Sequence, residues 1–476
     1  MISGYADGEE SSRRWAILSG MACRFESDMM ASDTIYALSS GQGIAGIAVI
    51  RVSGSSASVV LSELTGGIPA PRRAVLRLIR DPRNGEILDR AMVLWLPGPR
   101  SSTGEDMAEF QVHGSRAVVA ALLAVLGGFD GVRPAEAGEF TRRAFGNGRM
   151  DLVEVEGLAD LLDARTARQR RLAVHHLLGE ASSVFESWRA GLIAALAHVE
   201  AAVDFADEEG VAAAALAGLK REVTVLSSEM AAALGMAERA AEIRSGIRVA
   251  LVGMPNTGKS SILNVLTRRE AAIVSSRPGT TRDVIEVLIE LDGMAVSVSD
   301  TAGLRDGAED EIELIGMSKT RDQIRDADVI VWVAAHDVPG SMSTGMSVQP
   351  TLWLLNKADS LQADSGLYRN ELATEGWLFV SARTGDGMAE FVEALVSIVR
   401  QRYDQADNAL IVRERQKQAI YESIRYLNDS VMHAESQLEL VAEDLRKAAH
   451  ALGRVTGRID VEELLSVIFS EFCIGK

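Results

Sequence analysis

Gly253-Met-Pro-Asn-Thr-Gly258-Lys259-Ser260 is the stretch that decides how this chain is read. A strand-like run, Ile247–Val252, precedes it and a helical run, Ile262–Leu266, follows it, the context in which a Gly-rich octapeptide becomes a phosphate-binding loop. At such a strand-to-helix turn the backbone N–H groups face an anion and the helix adds the positive end of its dipole. Lys259 then meets the β and γ charges, and Ser260 offers a hydroxyl to magnesium.

Working outward, Asp300-Thr301-Ala302-Gly303 ends a second strand-like run. Its carboxylate can hold magnesium through water, and the Gly303 N–H can sense a γ-phosphate. Asn356-Lys357-Ala358-Asp359 ends a third run. The Asp359 carboxylate can accept from the N1–H and exocyclic amino group of guanine, a donor pair that adenine does not present, so the expected base is guanine. Ser381-Ala382, at the next strand end, would bring a backbone N–H to guanine O6. Strand-like segments at Ile247–Val252, Ile285–Leu291, Ala295–Asp300, Val329–Ala334, Thr351–Asn356 and Trp377–Ser381, with helical stretches between several of them, predict a doubly wound α/β domain. In such a domain a nucleotide lies at the carboxyl ends of the strands.

The catalytic details are more particular. Leu304 follows Gly303 where Ras-like GTPases carry a water-orienting glutamine, and leucine cannot polarise water. Another group must do so. The acidic stretch Asp306–Glu313 is a source of one and is otherwise a solvated charged loop. Between the two motifs lies Gly279-Thr280-Thr281-Arg282-Asp283, from which Thr280 or Thr281 can reach the γ-phosphate and the metal. No arginine finger is identifiable. Asn256 is either a turn residue or an oxygen donor beside a monovalent cation that does a finger's electrostatic work.

The rest of the chain sets the frame. Its 476 residues suggest about three domains. Forty-nine Lys+Arg against 67 Asp+Glu give a net charge of -18, so RNA contact would require a local basic patch. The 2 cysteines, Cys23 and Cys473, leave no disulfide framework or structural zinc site and fit a reducing compartment. No run of about 18 apolar residues predicts a membrane-spanning helix. Residues 1–32 read as a flexible extension, since Glu9 and Glu10 spoil an export signal, and Met21, Met29 or Met30 could serve as the start. Residues 33–150 read as an α+β domain, with strands at Gly46–Val52 and Ala91–Leu96 and a helix at Ser115–Leu126. Residues 151–245 are helical in texture, in the runs Leu152–Leu178, Ser182–Phe205 and Ala212–Ile243. Residues 246–403 form the α/β domain, and helices resume over 404–476, so that domain interrupts a helical one. A ribosome-assembly GTPase is disfavoured because no G-x-x-G loop follows Asp404. A membrane-remodelling GTPase is disfavoured because no basic amphipathic segment or apolar tip is evident.

GMPNTGKS, GTTRD, DTAGLR and NKAD, together with the terminal Phe472-Cys473-Ile474-Gly475-Lys476, resemble the MnmE (TrmE) family of bacterial tRNA-modification GTPases within the TrmE-Era-EngA-like superfamily. The resemblance runs from about Asp33 to Lys476. It implies a multidomain fold: an N-terminal α+β folate-binding and dimerisation domain, an all-α helical domain, and an inserted Ras-like α/β P-loop GTPase domain. It also implies a cytoplasmic homodimer, away from membranes, acting on tRNA with an FAD-dependent partner, MnmG (GidA), in a heterotetramer. That complex would place a carboxymethylaminomethyl or aminomethyl group on C5 of the wobble uridine, using a tetrahydrofolate one-carbon derivative. Potassium-dependent pairing of the GTPase domains would activate hydrolysis.

By motif matching, the resemblance assigns GTP to Asn256, Thr257, Gly258, Lys259, Ser260, Ser261, Ser275, Ser276, Arg277, Pro278, Gly279, Thr280, Thr281, Asp300, Thr301, Ala302, Gly303, Asn356, Lys357, Asp359, Ser381 and Ala382. Potassium would sit on Asn256 and Thr280 with the backbone near Ser275 and Arg277, and magnesium on Ser260 and Thr281. The catalytic set would be Lys259, Thr280 and the water-orienting Glu313, aligned on Ile315-Gly316, with Glu311 as its rival. Folate would fall on Arg51, Glu109, Arg149 and Lys476. Arg149 stands in place of the usual lysine, keeping the charge and changing the donor geometry. Cys473 is either a small buried hydrophobe or a thiol at the reaction centre. His113 reads as a hydrogen-bonded structural histidine.

Overall fold

The computed structural model describes residues 33–204, 211–269, 286–300, 324–343, 349–361, 372–403, 408–433 and 437–459, and then Leu465, Ile468, Phe469, Phe472, Ile474 and Gly475. The chain divides into two compact units. One comprises the chain up to Ala159, His176–Ser228 and Gln418 onward; the other comprises Asp160–His175 and Glu229–Lys417.

The first unit is built on a six-stranded sheet of β1 (Thr34–Leu38), β2 (Ala45–Ser53), β3 (Val75–Arg80), β4 (Ile87–Leu96), β5 (Met107–Gly114) and β6 (Val132–Pro134), in the order β3-β4-β5-β2-β1-β6. All neighbours are antiparallel except β1 and β6. Side chains alternate across a strand, so each strand feeds two faces. On one face Ile50, Val52, Val93 and Phe110 pack under α1 (Ala57–Thr65) and α2 (Arg116–Leu126). The predicted start of α2 at Ser115 has a local cause, because the Ser115 hydroxyl accepts from the Val118 N–H at 3.2 Å as an N-cap. On the other face Ile35, Ala37 and Met107 pack against Phe140 of α3 (Glu139–Gly146). Arg51 is the cross-strand partner of both Ala37 and Glu109, so both charged side chains lie on this second face.

A buried ion network fixes the start of α3. Arg143 reaches Asp33, Glu105 and Glu139 at 3.0, 3.1 and 3.2 Å, and Arg133 reaches Glu139 at 2.6 Å. Burial pushes the Glu139 carboxyl up. Hydrogen bonds from Arg133 and the Glu136 N–H, with the charges of Arg133 and Arg143, outweigh that and bring it down to about 2 from 4.5. A depressed carboxylate stabilises the fold above its unfolded-state value, and that stability is lost as pH falls from 4.5 towards 2. The urea midpoint of the N-terminal unit is therefore expected to drop across that window. Glu139→Gln should lower the midpoint at neutral pH and flatten the acid dependence, because it leaves both guanidiniums short of a charge. A wild-type midpoint that stays level from pH 5 to pH 3 would count against the network.

The helices α4 (Leu152–Asp163), α5 (Ala167–Leu177), α6 (Glu180–Asp204) and α7 (Val211–Ser245) follow. The expected single run Leu152–Leu178 is two helices. A capping arrangement breaks it, in which the Gln169 side chain accepts from the Arg165 N–H at 2.9 Å and the Thr166 hydroxyl accepts from the Gln169 N–H at 3.3 Å.

The second unit holds β7 (Ile247–Val252), β8 (Glu286–Leu291), β9 (Met294–Asp300), β10 (Val329–Ala335), β11 (Leu352–Asn356) and β12 (Trp377–Phe379) in the order β12-β11-β10-β7-β9-β8, parallel except for β8. Every residue of β10 is buried, as a central parallel strand covered on both faces requires. Val331 and Val333 join the core beneath α8 (Lys259–Arg269) and α9 (Met388–Tyr403), while Ile330, Trp332 and Ala334 face the opposite core with Trp377. The last helices are α10 (Glu414–His433) and α11 (Leu438–Thr456). Helix α10 begins ten residues beyond the expected return of helical texture at 404. Arg244, at the end of α7, and Arg413, just before α10, both donate to Asp160 Oδ1, at 2.9 and 2.8 Å.

Among the described residues no helix is long and apolar enough to cross a membrane.

Candidate nucleotide and N-terminal-domain sites

The phosphate loop leaves β7 and enters α8 as the sequence requires. Asn256 and Gly258 take left-handed backbone, at φ 64° and 91°, which turns successive N–H groups inward to form an anion nest. Buried Thr257 locks the turn by donating its hydroxyl to the Met254 carbonyl at 2.9 Å. Lys259 is buried and lies folded across the loop, its ammonium on the carbonyls of Gly253 and Met254 at 2.9 and 3.0 Å. Burial lowers its pKa and the Asp300 charge opposes that. Ser260 donates its hydroxyl to buried Asp300 at the end of β9, so the two hard oxygens that magnesium prefers are already side by side. Ser261 is exposed on α8.

The Asn356–Asp359 motif is tied to that loop by Asn356. Its buried amide donates to the Thr257 carbonyl at 2.8 Å and accepts from the Ala382 N–H at 3.1 Å. A Cβ on Gly258 would stand 2.2 Å from the same amide nitrogen, so only glycine fits there. Asp359 lies beside it, taking a hydrogen bond from Ser381 Oγ at 2.6 Å and an ion pair from Arg383. The Ser381 hydroxyl first, and then Arg383, hold the Asp359 carboxyl below the usual range. The carboxylate is thus ionised and ready to accept two N–H donors. Lys357 adopts φ 61°, and its ammonium sits on Asp337 at 2.7 Å.

In the first unit Arg51 and Glu109 meet in an ion pair of 2.8 Å on the second face of the sheet. Arg149 is exposed in the turn after α3, next to the segment that holds Gly104: a Cβ on Gly104 would stand 3.2 Å from the Arg149 Cγ. That segment is fastened to β2, because Thr103 and Ser53 share a hydroxyl hydrogen bond of 2.8 Å and Asn147 donates to the Thr103 carbonyl at 2.7 Å. The C-terminal tail arrives at the same domain. Ile468, Phe469 and Phe472 pack with Leu152 and Val155, and Ile474 pairs with Ala137. Gly475, at φ 98°, lies so close to β1 that a Cβ would stand 2.2 Å from the Leu38 carbonyl oxygen.

A family model described as the GTP-binding protein TrmE N-terminus matches residues 34–149, and one described as the MnmE helical domain matches residues 152–473. The chain belongs to the MnmE family. Among MnmE relatives, the tRNA modification GTPase MnmE of Methylobacterium sp. is 48% identical, with 94% of this chain and 100% of that protein aligned. Those of Beijerinckia indica and Bradyrhizobium sp. are each 45% identical, covering 93% of this chain and 96% and 99% of theirs. Membership makes the α/β unit a GTP hydrolase and bears out the multidomain plan of α+β, helical and inserted P-loop domains.

Of the MnmE-type positions named from sequence, the phosphate loop, Asp300, Asn356, Lys357, Asp359, Ser381 and Ala382 come together on the second unit's strand ends. Ser275, Ser276, Arg277, Pro278, Gly279, Thr280, Thr281, Thr301, Ala302, Gly303, Glu311, Glu313, Cys473 and Lys476 lie outside the described residues, as does the 1–32 extension. His113 is exposed and bonds Asp89 at 2.8 Å, as a structural histidine does. Sequence reading missed Arg383 and Asp337. Adjacency to Ser381-Ala382 was the available signal for Arg383, and a place just past a buried parallel strand was the signal for Asp337.

Proposed function

We propose that this chain is the GTP-hydrolysing subunit of a cytoplasmic tRNA-modifying complex that, with an FAD-dependent partner of the MnmG type, builds a carboxymethylaminomethyl or aminomethyl group on C5 of wobble uridine. The observation that carries the reading is the Asn356 amide, which binds phosphate loop, base motif and Ser381-Ala382 segment into one guanine-nucleotide site within a chain of this family. GTP would lie between Lys259 and Asp359, with magnesium on Ser260 and, through water, Asp300. The donor set suits that ion, being hard oxygens. Thr281 would complete it, and Glu313 would orient the attacking water.

The opposed charges of Arg51 and Glu109 suit a folate. A pterin edge offers N–H donors to a carboxylate, and the ring carbonyl and anionic tail call for guanidiniums such as those of Arg51 and Arg149. When bound, the folate would supply the one-carbon unit; the protein's part is to orient it. Mass spectrometry of wobble uridines from cells lacking this protein tests the whole reading: unchanged modification would end it.

Hydrolysis should depend on potassium, held by Asn256 and Thr280 within a homodimer of GTPase domains. With leucine at 304 and no arginine finger in the motifs, charge developing between the β and γ phosphates needs a cation there. Replacing potassium by sodium is expected to slow turnover by roughly tenfold or more. Equal rates in the two salts would remove the cation from the mechanism.

A further inference from the structure

The sheet order puts β10 between β7, which carries the phosphate loop, and β11, which carries the base motif. A guanine nucleotide stretched from one to the other must pass over the carboxyl end of β10. Two residues past that end stands Asp337, and across it lies the side chain of Lys357, whose ammonium touches both Asp337 oxygens, at 2.7 and 3.0 Å. The backbone of Lys357 is left-handed, at φ 61°, which swings the residue out of the strand line. Next to it, His336 Nε2 lies 3.5 Å from the hydroxyl of Ser360, so the β10 loop meets both the base motif and the residue that follows it.

We propose that Asp337 is a positioning residue for nucleotide binding: it holds the Lys357 side chain stretched across the end of β10 as a ready-made floor for the nucleoside. A free lysine samples many rotamers, and a nucleotide that must order it gives up part of its binding free energy. With the ammonium fixed on Asp337, the four-carbon stem is already laid down as an apolar strip. Asp337 need not touch the nucleotide. Its effect is on preorganisation, and the partial exposure of the pair sets a modest size. The inference rests on the reading of Asn356–Asp359 as the guanine site.

The test is titration of the full-length protein with fluorescent GDP, with tripolyphosphate as a competitor that fills the phosphate loop without a base. Asp337→Asn is expected to weaken GDP about fivefold through faster release, with kcat at saturating GTP unchanged, while Asp337→Glu restores most of the affinity. Tripolyphosphate should compete equally well against wild type and variant. GDP binding unaltered in Asp337→Asn would overturn the proposal, and so would a parallel loss of tripolyphosphate binding, which would mean that the whole site had loosened. A wild-type protein that failed to prefer GDP over ADP would instead overturn the guanine-site reading itself.

Discussion

Asp359→Asn is expected to weaken GTP and GDP by roughly a hundredfold or more. Guanine offers Asp359 two N–H donors, and the carboxylate accepts both as charge-assisted bonds. An amide in its place accepts one and sets its own N–H₂ against the other, so that about 3 kcal/mol is lost. The surroundings add to the loss, because Ser381 Oγ and Arg383 both donate to this carboxylate and would face an amide donor on one side. Xanthine carries an oxygen where guanine has its amino group, so xanthine nucleotides should bind the variant better than guanine nucleotides do. Equilibrium titration of wild type and variant with guanosine and xanthosine diphosphates measures both effects. Guanine affinity that survives the substitution would show that Asn356–Asp359 does not read the base.

Removal of Cys473–Lys476 is expected to abolish wobble-uridine modification while GTP hydrolysis by the isolated protein stays near normal. Every residue assigned to the nucleotide lies between Ile247 and Ala382, far along the chain from the tail. The tail instead closes against the N-terminal domain, with Ile474 paired to Ala137 and Gly475 against Leu38. Leu38 is the cross-strand partner of Ile50, next to Arg51, so the tail ends beside the proposed folate site. Gly475→Ala offers a milder version. Its methyl group would meet the Leu38 carbonyl at 2.2 Å and its φ of 98° disfavours any side chain, so the tail should lift and modification should fall sharply. Normal tRNA modification by the truncated protein would deprive the tail of any part in the chemistry and the folate assignment of its main support.

Most of the parallel sheet was legible because β10 is apolar and buried throughout, and β7 and β11 are apolar apart from Arg248 and the terminal Asn356. β7 matches its predicted span, and β9, β10 and β11 fall within a residue of theirs. The antiparallel sheet was less so. Leu76 and Leu78 of β3 are exposed apolar residues with Arg77 between them, and β5 carries Glu109 and His113, so neither shows a clean alternation of buried and solvated positions. Pairings made by charge could not be read at all. Asp33 is distant in sequence from Arg133 and Arg143 and meets them only once β1 and β6 are paired. The strand-end motifs proposed for the nucleotide were legible because fixed spacing encodes their placement locally, whereas Asp337 meets Lys357 across two strands.

Asp160 has a consequence for how such a chain can arise. One oxygen of its carboxylate receives the guanidinium just before the GTP-binding segment starts and the one just after it finishes. Departure and return of the polypeptide are therefore neighbours, which is the condition under which a whole folded module can be spliced into a host gene, or excised from it, without pulling apart the two host segments it joins. The GTPase is in this sense a cassette whose doorway is held by Asp160 and Arg244 on helices and by Arg413 just before one, and which takes Leu172, Ala240 and Ile243 of the flanking helices into its own core.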